Sequence, residues 1–70
     1  MCRSIKRLRT PEGVVTEQEI NEAALQYVRK ISGFRAPTER HREAFDAAVS
    51  EITESSQRLL DAVQARLGLR

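Results

Sequence analysis

Seventy residues, 40% of them apolar and 31% charged, predict a small soluble globular chain, either one domain or part of something larger, rather than a disordered one. A single cysteine and a single histidine exclude an internal disulfide and argue against a self-contained metal or triad site, which removes most enzyme classes and leaves no cofactor expected. Twelve basic against ten acidic residues are too balanced to prove a nucleic-acid partner, and no run approaches the ~18 apolar residues of a membrane span or the apolar stretch of a secretory signal.

Positions 1–15 read as a basic arm. Arg3, Lys6, Arg7 and Arg9 stand among residues 1–9 without an acid, and Ile5, Leu8, Val14 and Val15 need an apolar surface to lie against. Thr10-Pro11-Glu12-Gly13 carries turn chemistry, because proline presets one turn dihedral and glycine tolerates a positive one.

Thr16-Glu17-Gln18-Glu19 then opens a helix. A threonine cap with glutamate three residues on is a capping box, which satisfies two backbone donors reciprocally. Ile20, Ala24, Tyr27, Val28 and Ile31 share one helical face, and Arg29 and Lys30 fall in the last turn, where the helix dipole favours cations. Gly33 stands where a left-handed residue ends a helix, with Phe34 placed to fold back over it. The first helix is expected over about 17–32.

Pro37 disfavours helix at Ala36, and Thr38 is the expected cap of a second helix over about 39–67, closed by Gly68. Phe45, Val49, Ile52, Ser56, Leu59 and Val63 step by four and three, a heptad seam with one polar interruption. The fold class is therefore all-α: a helical hairpin turning at residues 34–37, with the arm packed along the longer second helix, the whole chain forming one small domain. Folding back pairs Ile31 with Phe45, Val28 with Val49, Ala24 with Ile52 and Ile20 with Ser56. Leu59, Leu60, Val63 and Leu67 are left without a partner from helix one, so either the arm or another polypeptide must cover them. A hairpin of this size seldom buries enough apolar surface to stand alone.

Each candidate site has a plainer alternative. Loss of Met1 would leave Cys2 with a thiol and a free amine in one chelating unit, beside Arg3, Lys6 and Arg7, which favour thiolate; the plainer reading is a small buried hydrophobe. His41, between Arg40 and Arg42, has no histidine four residues on and reads as a solvated surface residue rather than a metal ligand. Arg3, Lys6, Arg7, Arg29, Lys30 and Arg35 form a candidate surface for an anionic partner such as RNA, the ribosome or a phosphate, against the alternative of a solvated polar end. Ser55 and Ser56 are small enough to admit a second helix or to set register. The leading expectation is an interaction or adaptor protein that self-associates or docks through Leu59, Leu60, Val63 and Leu67; electrostatic binding and a thiol or metal role of Cys2 are the alternatives.

The opening Met1-Cys2-Arg3-Ser4-Ile5, then Leu8-Arg9, the run Ala23-Ala24-Leu25-Gln26-Tyr27-Val28-Arg29-Lys30-Ile31-Ser32-Gly33-Phe34, Pro37-Thr38 and Glu43-Ala44-Phe45 together resemble a family of small uncharacterised bacterial proteins, the domain of unknown function numbered 2277. The resemblance spans nearly the whole chain. The family usually has asparagine where this chain has Ser4, and tends to have it at His41, which further weakens His41 as a ligand. The resemblance implies a cytoplasmic bacterial protein and brings no activity, cofactor or partner. It draws attention to Cys2-Arg3 and to the block Arg29–Phe34.

Overall fold

A computed structural model describes residues 7–10 and 13–66. Two helices dominate: α1 spans Glu17–Ser32, and α2 spans Arg42–Arg66 after a single 3-10 turn at Glu39–His41. They pack against each other as an all-α hairpin. Among the described residues there is no strand.

The capping box at the start of α1 is present in both directions. The Glu19 amide donates to Thr16 Oγ1 at 3.1 Å, and the Thr16 amide donates to Glu19 Oε1 at 2.9 Å. At the other end Gly33 adopts φ 80°, and its amide donates to the Arg29 carbonyl at 2.9 Å. That left-handed conformation costs a residue with a Cβ and costs glycine little. The reversed chain then brings Phe34 back against the core, its amide donating to Ser32 Oγ at 3.1 Å.

Three details depart from the sequence reading. Thr38 does not cap α2 with its side chain. A 3-10 turn intervenes, in which the His41 amide donates to the Thr38 carbonyl at 3.0 Å and the Thr38 hydroxyl pairs with His41 Nδ1 at 3.1 Å. The tighter turn places its backbone bond three residues back, so the hydroxyl is left to the imidazole. Gly13, expected to take a positive dihedral, does not. Its amide donates to both the carbonyl and the hydroxyl of Thr10, at 3.4 and 3.0 Å, and a Cβ at Gly13 would meet Thr10 Oγ1 at 2.8 Å. A larger residue there would have to displace the Thr10 hydroxyl and its bond to the residue 13 amide. Gly68, the expected end of helix two, lies outside the described residues.

The third departure concerns the packed face of α1. Ile20, Ala24 and Val28 are buried, as are Phe45 and Val49 of α2, but Tyr27 and Ile31 are 52% and 62% exposed. The buried stripe is turned toward Leu25, which packs on the core together with Ala48, Ile52 and Phe34. Val28 with Val49 and Ala24 with Ile52 thus share one cluster, as the folded-back register requires. Ile31 stays mostly exposed, and Phe34, returned by the left-handed glycine, packs on the core at that end. A polar tie fixes the register further along: Asn21 Nδ2 donates to Thr53 Oγ1 at 3.3 Å, and that hydroxyl donates to the Val49 carbonyl at 2.7 Å.

At ~1.5 Å per residue the 25 residues of α2 run about 37 Å and the 16 of α1 about 24 Å. The C-terminal part of α2 therefore extends past the shorter helix.

Candidate functional site

Among the described residues two grooves flank the helix pair, each formed where side chains of one helix face side chains of the other. On one flank Ile20 and Ala23 of α1 face Ser56, Leu59 and Leu60 of α2, and Arg7, Leu8 and Arg9 of the arm border the same groove, whose volume is about 430 Å³. This is the overhang that the unequal helix lengths leave open. The arm covers it in part. Leu60 and Val63 are half-buried, whereas Leu59 is 63% exposed and Leu8 41% exposed. Ile20 and Ser56, expected to pair, line this groove together.

On the other flank the α1 row Glu17, Asn21, Leu25 faces the α2 row Asp46, Ser50, Glu54 across a groove of about 480 Å³ floored by Phe45 and Val49. Every charged residue in its lining is a carboxylate, from Glu17, Asp46 and Glu54. This groove was not foreseen from the sequence. The acids stand in two separate runs, 17–22 and 43–54, and only the antiparallel pairing brings them to one side of the hairpin. The signal available was the four-residue spacing within each run, on the Leu25 side of the apolar stripe.

The basic residues of the turn are exposed: Arg29, Lys30, Arg35, Arg40 and Arg42 all face solvent. Arg29 and Arg35 are brought together, since Arg29 Nε donates to the Arg35 carbonyl at 2.8 Å. That bond gives Arg29 a structural task at the helix end, tying down the loop that carries Phe34. His41 is exposed, and its ring lies 5.2 Å from that of Phe34, tilted by 31°. Arg7 lies on the opposite flank region with the arm, away from this turn in the chain's packing: it borders Leu59 and Leu60. Ser55 is exposed and Ser56 half-buried. Cys2, Arg3, Lys6 and Leu67 lie outside the described residues.

Chemically the site offers binding surface. Among the described residues no group of three or more His, Cys, Asp or Glu side chains is placed to hold a metal ion, and no helix is long and apolar enough to cross a membrane.

No curated protein and no solved structure matches the chain. A family model described as "Uncharacterized conserved protein (DUF2277)" matches residues 1–68. With that match covering nearly every position, and with the helix-ending block Arg29–Phe34 at the hairpin turn, the chain belongs to the DUF2277 family of uncharacterized conserved proteins.

Proposed function

We propose that this chain is a small cytoplasmic interaction protein that pairs with another polypeptide, either a second copy or a subunit of a larger complex, through the apolar seam of α2. The observation that carries the reading is the overhang: Leu59, Leu60 and Val63 continue the seam past α1, and Leu59 remains 63% exposed even with the arm alongside. Leu67 continues the same spacing in sequence. The described core contains five buried side chains, Ile20, Ala24, Val28, Phe45 and Val49, and a core this small gains most from burying further apolar surface on association. Multi-angle light scattering over a concentration series tests the reading. The native chain is expected to exceed monomer mass, and a Leu59→Ser, Val63→Ser variant to return to monomer with its helical circular dichroism retained. A native chain that stays monomeric throughout, with a stability that the double substitution leaves unchanged, overturns it.

A second reading rests on the exposed cations of the turn, where the Arg29 side chain is tied to the Arg35 backbone. It takes Arg29, Lys30 and Arg35 as a surface for RNA, the ribosome or another polyanion, with the basic arm residues Arg3, Lys6 and Arg7 as a separate cationic segment. Binding of that kind weakens steeply as salt rises, because counterions are released from the polyanion. Affinity for a short RNA that is flat between low and moderate salt removes this reading.

A further inference from the structure

We propose that the carboxylate-rimmed groove on the Leu25 flank receives the basic arm of a second copy of this chain, with Leu8 seated toward Leu25, Phe45 and Val49 and with Arg7 and Arg9 beside Glu17, Asp46 and Glu54. The groove and the arm are complementary in two respects. The groove combines an apolar floor with carboxylates as its sole charged lining, in a chain whose net charge is +2. The arm combines a leucine with arginines on either side and has no acid anywhere in residues 1–9. A surface whose charge is opposite to that of a neighbouring copy's projecting segment steers the two together and selects that orientation.

The occupant is a second copy for a further reason. Within one chain Arg7, Leu8 and Arg9 border the opposite groove, against Ile20, Leu59 and Leu60, so a chain's own arm is not placed to fill its own acidic groove. Leu8 borders the same groove as Leu59 and Leu60 and is 41% exposed, and Arg7, Arg9 and Thr10 are exposed as well. These exposed side chains of the arm are available to a partner. Because arm and groove lie on opposite flanks of one chain, the contact runs head to tail and joins successive copies into a ring or a short chain. The inference shares with the proposed function only the premise of a polypeptide partner; the surface it uses is a different one.

Charge reversal tests it, by sedimentation velocity at low salt and in reductant. An Arg7→Glu, Arg9→Glu variant and an Asp46→Lys, Glu54→Lys variant are each expected to self-associate at least about tenfold more weakly than the native chain. All four residues are exposed, and circular dichroism checks that each variant stays helical. Mixed together, the two variants present an acidic arm to a basic groove and a basic arm to an acidic groove, so the mixture is expected to co-associate with affinity close to the native value. Three results overturn the inference: a native chain that does not self-associate, reversed variants that associate like the native chain, or a mixture that fails to recover. Dimerisation lost on Leu59→Ser but indifferent to both reversals assigns the contact to the α2 seam instead, which separates failure of this inference from failure of the proposed function.

Discussion

Gly33 holds the hairpin together at a single backbone position. Its φ of 80° ends α1 and redirects the chain so that Phe34 returns to the core. A Cβ at Gly33 would meet no atom within 4 Å, so a substitution there feels backbone strain and no side-chain collision. Gly33→Ala is expected to lower stability by roughly 1 kcal/mol, seen as an earlier urea midpoint with an unchanged slope. An unchanged midpoint would show that the turn closes without the left-handed conformation. The glycine's role was legible in the sequence, because it follows Arg29 and Lys30 at the end of a periodic apolar stripe. The role of Gly13 was not: its close approach to the Thr10 hydroxyl depends on how the turn folds, which the residue type alone does not reveal.

At the scale of the helices, α1 matched its expected limits because the signals at both ends are local: a reciprocal capping box and a left-handed cap. Which side of α1 faces α2 is a different kind of question. The apolar positions Ile20, Ala24, Tyr27, Val28 and Ile31 lie within one broad stripe, and periodicity does not say which edge of it is covered. The structure turns the packed side toward Leu25 and leaves Tyr27 and Ile31 outside. Truncations separate the two. Val28→Ala is expected to destabilise by roughly 2 kcal/mol, through lost burial and the space left behind. Ile31→Ala should change stability by less than about 0.5 kcal/mol in the monomer. Thermal or urea unfolding of both variants decides between the stripes, and equal losses would restore Ile31 to the core. On α2, the seam positions near the turn, Phe45 and Val49, are buried as expected, while the later ones are at most half-buried and Leu59 is exposed.

The described part of the molecule is elongated. Its radius of gyration is 14.0 Å and its extents are 44 × 26 × 17 Å, against a radius of about 11 Å for a compact chain of this length. A shape with that much surface around five buried side chains predicts stability linked to concentration. If folding and association are coupled, the thermal midpoint rises as protein concentration increases, because the associated state binds only folded chains. Differential scanning calorimetry over a hundredfold concentration range checks this. A midpoint independent of concentration means that the hairpin and arm are self-sufficient, and it counts against both proposed interfaces.

What the sequence determined by itself was local: helix limits set by caps, an all-α hairpin set by the period of the apolar residues and the Gly33–Pro37 break, the family marked by Met1–Ile5 and Ala23–Phe34, and the overhang implied by unequal helix lengths. These rest on interactions between residues a few positions apart, so they are visible in spacing. The tertiary structure alone decided the rotation of α1, the Asn21–Thr53 tie, the placing of Arg7–Arg9 beside Leu59 and Leu60, and the assembly of Glu17, Asp46 and Glu54 around one groove. Those depend on how two helices rotate about their own axes when they meet. Here Leu25 and Phe34 pack on the core while Ile31 stays exposed, and a linear pattern carries no record of that choice.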